Sequence, residues 1–379
     1  MLIAHISDSH LGAMPYNKSE RENDFYESFN EAIDTIISMG AEIVIHSGDI
    51  FDVPKPSGTA MVKLVDSLKR LREKNIRFLF TMGEHDISRL YAIPSPFLYQ
   101  RVDLATYIGN GEPFEVSDEL MVVGFHKRRK DEVEELKAKL STLDERTKDA
   151  RGRKILVLHQ ALYEFNKYAG ELSVSDLPKS FDYYAMGHLH DKGENCFNEL
   201  KGKVCYPGSL DVTGNEGIKE FHKGFYLVDL LPDEVKTEWI ELKSTRRHFS
   251  FEVDYGKMDD AVQEIIAKIK DLAKKPMVNV VVKGSDMDAA KISSSLRPLE
   301  NYTLYHQWDV EETGTSKVKD YMEKPADIEQ EMLIRAESIT GSKEAASLAI
   351  NELLPQLQDN NTEEASDILW KYFAERRKL

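Results

Sequence analysis

The chain opens with Leu2-Ile3-Ala4-His5-Ile6-Ser7-Asp8-Ser9-His10-Leu11-Gly12, a short apolar run that leads directly into an aspartate and a histidine two residues apart. The run lacks the alternation of a half-exposed strand, which predicts a strand buried inside an α/β fold. In α/β sheets, ligands gather in the loops beyond the carboxyl ends of the strands. The stretch therefore predicts a buried strand that delivers two polar side chains to a site.

The same arrangement recurs along the first 240 residues. Five of the 11 histidines follow predicted strands in this way. The later segments are Gly48-Asp49, Gly83-Glu84-His85-Asp86, His159 and Gly187-His188-Leu189-His190. Amphipathic helical stripes lie between the strands, so residues 1–242 predict one α/β domain whose functional side chains share one edge.

These side chains form a set of carboxylates and imidazoles without thiolates. Such a set suits Mn²⁺, Fe²⁺ or Zn²⁺ better than a structural zinc ion. Seven or more candidates exceed the needs of one ion, so we expect two ions about 3.5–4 Å apart, with one bridging carboxylate and an activated hydroxide. A single Asp-x-His or Gly-Asp is common by chance, and His5, His46 and His126 are better explained as core or surface histidines. The joint order of the segments points to a metal centre.

The composition restricts the class of protein. A chain of 379 residues suggests two or three domains. Its formal charge of −16 argues against coating of polyanions by bulk charge, so any nucleic-acid contact is local or metal-mediated. Two cysteines, Cys196 and Cys205, exclude a disulfide scaffold and favour reduced thiols. No apolar run is long enough to cross a membrane, so we expect a cytoplasmic protein, associated with the nucleoid in a prokaryote.

The remainder of the chain predicts three further segments. Residues 243–310 alternate strands with helical stripes, which indicates a small αβ domain. Residues 311–326 are polar and contain Gly314 and Pro325, which is typical of a linker. Residues 327–379 predict two amphipathic helices that cannot bury their apolar faces alone, so this pair needs a partner surface.

The motifs resemble those of the calcineurin-like dinuclear metallophosphoesterases, in the family's order and over roughly residues 1–240. Within that superfamily the chain is most similar to the Mre-eleven/SbcD nucleases of double-strand-break repair. The motifs that carry this resemblance are His5-x-Ser7-Asp8-x-His10-Leu11-Gly12, Gly48-Asp49-x-Phe51-Asp52, Pro56-Ser57, Tyr206-Pro207-Gly208-Ser209 and Lys223-Gly224-Phe225.

The resemblance implies a fold of class α/β with four parts. Residues 1–242 would form a four-layer αββα metallophosphoesterase sandwich, and residues 243–310 a small αβ domain that caps DNA. Residues 311–326 would be a linker. Residues 327–379 would be a C-terminal helical pair that binds the SMC-like ABC ATPase Rad-fifty/SbcC.

The resemblance also implies an activity and its cofactors. It predicts a Mn²⁺-dependent DNA nuclease, with 3′–5′ exonuclease activity on duplex ends and endonuclease activity on single strands. Two Mn²⁺ per subunit, or alternatively Mg²⁺ or Fe²⁺, would support attack of hydroxide on the phosphodiester. The implied ligands are Asp8, His10 and His190 for one ion, Glu84, His159 and His188 for the other, and Asp49 as the bridge. The implied catalytic residue is His85, which would stabilise the transition state or protonate the leaving oxygen.

Two positions depart from the family's pattern. Glu84 occupies a position where the family normally has Asn, and it adds a negative charge that weakens the pull of the ions on phosphate. Asp52 occupies a position where some relatives carry a histidine next to the phosphate. A carboxylate there would repel substrate unless it is protonated or turned away.

The family's layout also predicts contact residues. For DNA, the clustered basic residues are Lys127, Arg128, Arg129, Arg246 and Arg247. For the ATPase, the apolar stripe comprises Leu353, Leu354, Leu357, Ile368, Leu369 and Tyr372. For a homodimer, the predicted contacts are Met61, Leu64, Phe97 and Leu98.

Two alternatives remain open from the sequence. One is a phosphatase or small-nucleotide phosphodiesterase on the same metal core. Protein phosphatases are disfavoured, because Gly48-Asp49 continues into Ile50-Phe51-Asp52 and lacks the Asp-Arg-Gly that seats a phosphomonoester. The other alternative is a catalytically weakened architectural subunit that binds DNA ends. The observation that supports it is Glu84, which departs from the family's pattern.

Overall fold

Two six-stranded sheets form the centre of the fold. The computed structural model describes residues 1–88, 93–231, 234–312, 336, 342–354, 366 and 368–372. In spatial order, the first sheet comprises β12 (Val235–Glu241), β11 (Gly224–Leu230), β1 (Leu2–Ile6), β2 (Ile43–Ser47), β3 (Arg77–Thr81) and β4 (Thr106–Tyr107). Strands β1 to β4 run parallel, and β11 and β12 pair antiparallel.

The second sheet has the same mixed character. In spatial order it comprises β5 (Phe114–Ser117), β6 (Leu120–Phe125), β7 (Arg153–His159), β8 (Tyr183–Gly187), β10 (Lys203–Tyr206) and β9 (Gly193–Cys196). Its four central strands run parallel, and β5 and β9 pair antiparallel at the edges. The strands predicted beside the five ligand segments are β1, β2, β3, β7 and β8, and all of them are present in the two sheets.

The two sheets face each other across an apolar core, and helices cover their outer faces. Ile3, Ile45 and Leu79 of the first sheet belong to the same buried cluster as Ile155 and Val157 of the second. The first sheet is covered by α1 (Ser19–Ser38), α2 (Gly58–Glu73) and the short α3 (Phe97–Arg101). The second is covered by α4 (Val133–Leu140) and α5 (Leu143–Arg146). The predicted four-layer αββα sandwich is therefore confirmed.

A smaller αβ layer follows the sandwich in the chain. It is a three-stranded sheet of β13 (His248–Asp254), β14 (Met277–Gly284) and β15 (Tyr305–Glu312), with α6 (Met258–Ile269) and α7 (Ala289–Leu296) packed on it. The sequence predicts a separate domain from residue 243. In the structure, this layer belongs to the same compact unit, Met1–Glu311, as the two large sheets.

A second compact unit spans Glu312–Leu379. Its described part contains α8 (Lys343–Ser347), which continues into a helical turn at Leu348–Leu353. Residues 313–326 of the predicted linker, and Leu357 of the predicted partner surface, lie outside the described residues. Among the described residues, no helix combines the length and apolar character that crossing a membrane requires.

A buried ion-pair network joins the smaller αβ layer to helix α1. The Asp24 carboxylate accepts from Arg21 at 2.6 Å, from Arg246 Nε at 2.6 Å and from Lys274 at 3.1 Å. Asp211 completes the network, because it accepts from the other guanidinium nitrogen of Arg21 at 2.7 Å. Burial opposes the ionised form of Asp24, but Arg246 and Arg21 more than offset it, so the pKa of Asp24 is lowered.

We expect Asp24→Ala to lower the free energy of unfolding by about 3–5 kcal/mol, because it leaves buried guanidinium groups without their partner. Urea denaturation of the full chain measures this loss. The control is Glu27→Ala, which removes an exposed carboxylate that contacts Lys274 and should cost less than about 1 kcal/mol. Equal losses in the two variants would contradict a stabilising role for the buried network.

Candidate metal centre

Five parallel strands, three from the first sheet and two from the second, end at one place in the sandwich. The ends of these strands and the loops beyond them carry all seven predicted ligands: Asp8, His10, Asp49, Glu84, His159, His188 and His190. Four of these residues adopt the left-handed backbone region, with φ of 49° at Asp8, 41° at His10, 54° at Asp49 and 91° at His188. Such conformations are costly for non-glycine residues and cluster at functional sites.

Two glycines allow the loops to approach each other closely. A Cβ on Gly48 would lie 2.2 Å from His159 Nδ1, and a Cβ on Gly83 would lie 2.1 Å from Asp49 Oδ1. Neither distance is possible for a side chain. Glycine is thus required at both positions because candidate ligands pack against their Cα atoms.

The first group of candidate ligands contains Asp8, His10 and His190. His10 Nε2 lies 3.2 Å from His190 Nε2, and His190 Nε2 lies 3.9 Å from Asp8 Oδ1. Asp8 and His10 follow β1 of the first sheet, and His190 follows β8 of the second. One ligand atom from each residue lies within 4.8 Å of the others, which is close enough for the three to hold one ion.

The second group contains Glu84, His159 and His188. His159 Nε2 lies 3.0 Å from Glu84 Oε2, and His188 Nδ1 lies 2.8 Å from Glu84 Oε1. This group also takes members from both sheets, since Glu84 follows β3, His159 is the last residue of β7 and His188 follows β8. Asp49 Oδ2 is within 3.3 Å of His159 Nε2 and 3.9 Å of His10 Nε2, so one carboxylate reaches both groups.

The residues present fit divalent cations. Asp8 Oδ1 and His159 Nε2 are buried, and neither makes a hydrogen bond of good geometry among the described residues, although His159 Nε2 lies 3.0 Å from Glu84 Oε2. Burial opposes the ionised form of Asp49, but His159 more than offsets it and lowers the Asp49 pKa to about 2. Burial also raises the pKa of Glu84, but the imidazoles of His159 and His188 more than offset this effect, so the pKa of Glu84 is lowered. The site therefore presents ionised carboxylates and unpaired ligand atoms, which hard and borderline cations bind.

Two of the four ligand histidines have a hydrogen-bond acceptor behind the ring. His159 Nδ1–H donates to the Ser47 carbonyl at 2.7 Å, and His190 Nδ1 lies 3.1 Å from the Thr213 hydroxyl. Partners of this kind keep the proton on Nδ1 and leave Nε2 free for a metal. His10 Nδ1 makes no hydrogen bond among the described residues, although Asp52 Oδ1 lies 3.3 Å from it. The carboxylate of Asp52 is thus turned toward His10.

His85 lies beside the two groups. Its Nδ1–H donates to the Asp52 carbonyl at 2.7 Å, and its backbone N–H donates to Asp49 Oδ1 at 2.9 Å. Its ring centroid is 4.9 Å from that of His10. Burial lowers the pKa of His85, but Asp49 and the Asp52 carbonyl more than compensate, so the pKa is raised. The ring is therefore oriented and inclined to carry a proton.

Asp86 is a structural residue of the site that the sequence analysis did not assign. Its buried carboxylate accepts from the backbone N–H groups of Ile50, Phe51 and Gly83 at 3.2, 3.1 and 3.0 Å. These bonds tie the loop that carries Asp49 to the loop that carries Glu84 and His85. Its place directly after the Gly-x-His motif is the signal that could have indicated this role.

The predicted DNA contacts have different environments. Lys127 and Arg246 are each only 8% exposed, and both are engaged in ion pairs within the chain, with Glu171 and Asp24 respectively. The prediction that these two belong to exposed basic patches is wrong. Arg128 and Arg129 are partly exposed, and the Arg247 side chain is 62% exposed, so these three stay predicted DNA contacts.

The predicted dimer contacts also differ in exposure. Leu64 is fully buried in the core between α2 and the first sheet, so it is not available to a second copy, and its prediction as a contact is wrong. Met61 and Phe97 are partly buried against that core, while Leu98 is 48% exposed.

The two cysteines, Cys196 and Cys205, are both free thiols, and burial raises the pKa of Cys205 to about 12.

Comparison with known proteins agrees with this geometry. The family model for calcineurin-like phosphoesterases matches residues 1–192, which include all seven candidate ligands and His85. The chain is 32% identical to the DNA double-strand break repair protein Mre11 of Saccharolobus solfataricus over 322 residues, which cover 82% of each chain. The chain belongs to the Mre11 family. The resemblance to the Mre-eleven nucleases is thus confirmed.

Other Mre11 proteins are similar to this chain over different lengths. The Mre11 of Sulfurisphaera tokodaii is 29% identical over 342 residues, covering 88% of this chain and 86% of the relative. The Mre11 of Methanococcus maripaludis is 34% identical over 240 residues, covering 62% of this chain and 64% of the relative. The similarity to Mre11 thus extends well beyond the calcineurin-like region.

Proposed function

We propose that this chain is a Mn²⁺-dependent DNA nuclease of double-strand-break repair, acting as a 3′–5′ exonuclease on duplex ends and as an endonuclease on single strands. The observation that carries the proposal is the pair of ligand groups that share Asp49, with His85 beside them. Membership in the Mre11 family supports DNA as the substrate.

The residues divide the work of phosphodiester hydrolysis. Asp8, His10 and His190 would hold one Mn²⁺, Glu84, His159 and His188 the other, and Asp49 would contact both. When bound, the two cations withdraw charge from the phosphodiester and lower the pKa of water. Asp86 keeps Asp49 and His85 in register by fixing their two loops.

His85 is the residue we assign to the reacting phosphate. Because its Nδ1–H donates to the Asp52 carbonyl, Nε2 is the nitrogen left to face substrate. From there it would stabilise the charge of the transition state or protonate the departing 3′-oxygen. Asp52 Oδ1 lies 3.3 Å from His10 Nδ1, and we infer that its carboxylate is turned away from the substrate.

One assay tests the function directly. The purified chain is incubated with labelled duplex and single-stranded DNA, in the presence of Mn²⁺, Mg²⁺, Fe²⁺ or chelator. A phosphomonoester and a cyclic nucleotide serve as parallel substrates. We expect Mn²⁺-dependent cleavage of both DNAs and little turnover of the small substrates. Preferential turnover of either small substrate would favour the phosphatase alternative, and DNA binding without cleavage would favour an architectural subunit.

We further propose that the chain acts as a cytoplasmic, nucleoid-associated homodimer. The solvent-facing apolar side chains of Leu98 and Val62, at 48% and 56% exposure, lie on neighbouring elements α3 and α2 and support a contact between copies. Met61 and Phe97 flank them. Sedimentation velocity of the full chain tests this point, since a monomer at micromolar concentration would contradict it.

We also propose that the C-terminal helices bind an SMC-like ABC ATPase of the Rad-fifty/SbcC type. Among the predicted contact residues that the structure describes, none is fully buried: Leu353, Leu354, Ile368 and Tyr372 are partly exposed, and Leu369 is 39% exposed. An amphipathic helix with an accessible apolar stripe is suited to a groove on a partner.

We expect the double substitution Leu354→Asp and Leu369→Asp to abolish capture of the ATPase while nuclease activity on simple DNA substrates is retained, because each charge would be buried unpaired in the interface. Co-purification with the tagged ATPase measures capture. The control is Lys371→Asp, which places the same carboxylate at an exposed position of the same region. Capture of the double variant at the wild-type level would contradict this interface.

A further inference from the structure

The fourth ligand histidine, His188, differs from the other three in what lies behind its ring. His10, His159 and His190 each have an oxygen beside the nitrogen that faces away from the ligand group. Behind His188 is the ammonium group of Lys127, whose Nζ lies 3.2 Å from His188 Nε2. An ammonium group has three donors and no lone pair, so it can only donate to this nitrogen.

Lys127 is held firmly in this position. Its Nζ donates to Glu171 Oε2 at 2.8 Å, and its backbone N–H donates to the Met82 carbonyl at 2.8 Å. The same Glu171 oxygen accepts from Gln160 Nε2 at 2.7 Å and from the Ala161 N–H at 3.2 Å. The lysine is therefore anchored to the loops that follow β3 and β7, and it cannot swing into solvent without breaking this network.

The contact determines which nitrogen of His188 carries the proton. Because Nε2 accepts from Lys127, the ring proton lies on Nδ1, which donates to Glu84 Oε1 at 2.8 Å. Lys127, His188 and Glu84 thus form one chain of hydrogen bonds. A cation in the second group needs the lone pair of His188 Nδ1. The ring proton must then move to Nε2, where it would face an ammonium group that cannot accept it.

We propose that Lys127 weakens cation binding at the group of Glu84, His159 and His188, so that the two metal sites fill in order, with the Asp8, His10 and His190 group first. The inference rests on the dinuclear site of the proposed function. The proposal also relates Lys127 to Glu84, the residue that replaces the family's usual Asn. The additional carboxylate strengthens the attraction for a cation in this group, and the ammonium group on the far side of His188 offsets it.

Calorimetric titration of the metal-free full chain with Mn²⁺ tests the proposal without reference to activity. We expect two classes of site in the wild-type chain. In Lys127→Gln, we expect the weaker class to tighten by about tenfold or more, on the scale of one charged hydrogen bond, with the stronger class unchanged. The amide of glutamine can accept the Nε2–H of His188 and still donate to Glu171.

Four further variants separate this effect from a change in folding or in overall charge. Lys127→Arg keeps a cation without a lone pair, so its weaker site should stay weak. Lys127→Met should tighten the same site without any new hydrogen bond. Lys130→Met removes an exposed lysine of the same segment and should leave both affinities unchanged. Glu84→Asn should weaken the second class, because it removes the carboxylate that attracts the cation. Thermal unfolding confirms that each variant is folded.

The outcomes are distinguishable. Two sites of equal affinity in the wild-type chain would overturn the inference, as would a weaker site that stays within about twofold in both Lys127→Gln and Lys127→Met. Two ordered sites that respond to Lys127 in a chain that does not cleave DNA would support the inference and refute the proposed function. A chain that binds no Mn²⁺ would refute both.

Discussion

Asp49→Ala should reduce metal-dependent phosphodiester cleavage to the level of the chelated wild-type chain. The reason is geometric, because the Asp49 carboxylate lies within reach of both groups, 3.3 Å from His159 Nε2 and 3.9 Å from His10 Nε2. Two-metal catalysis requires both ions at a fixed separation, so loss of the shared carboxylate affects each site. Steady-state cleavage of labelled duplex DNA in Mn²⁺ measures the loss.

Metal content separates this result from general damage. We expect the variant to retain fewer ions per chain than the wild type after equilibrium dialysis against Mn²⁺, as measured by mass spectrometry. Asp66→Ala, which removes an exposed aspartate on α2, should leave both content and activity unchanged. Full nuclease activity in Asp49→Ala, or in a metal-free preparation of the wild type, would contradict the proposed mechanism.

His85→Ala should lower the rate of cleavage by roughly 10²–10⁴-fold, the usual contribution of a positioned proton donor. The structure gives His85 a side-chain hydrogen bond to the Asp52 carbonyl and leaves Nε2 for substrate, so its removal should not empty either site. Single-turnover cleavage at saturating Mn²⁺ measures the chemical step, and metal content is measured on the same samples.

A matched histidine serves as the control for His85. His222 is exposed and pairs with Glu241 at the surface, so His222→Ala should leave the cleavage rate unchanged. If His85→Ala loses metal together with activity, His85 is a ligand and its assignment as a proton donor is wrong. That result would fit its proximity to Asp49 and Glu84 in the metal-capable cluster.

The sequence predicted the strands and the loops that follow them because these depend on contiguous residues. A buried strand is an unbroken apolar run, and its ligand-bearing loop comes directly after it, as in Ile43–Ser47 followed by Gly48 and Asp49. No long-range information is needed to see either one. The convergence of the loops then follows from the general rule that parallel strands place their carboxyl ends at one edge.

The sequence could not predict the roles that arise from contacts between distant segments. Lys127 stands in a run of four basic residues and was predicted to contact DNA, yet Glu171 and His188 occupy its ammonium group. Arg246 is likewise engaged by Asp24, which lies 222 residues away in the chain. Leu64 shares an apolar helix with partly exposed residues, and the choice of which face packs on the sheet depends on tertiary structure.

Each ligand group takes side chains from both sheets, and this arrangement ties metal affinity to the assembly of the sandwich. Neither sheet alone carries a complete group, because His190 completes the first and Glu84 the second from the opposite sheet. A cation that binds only the assembled pair stabilises it by mass action. The occupancy of the site by a divalent cation would therefore also report how firmly the two sheets are joined, and a chelator would lower the stability of the contact between them.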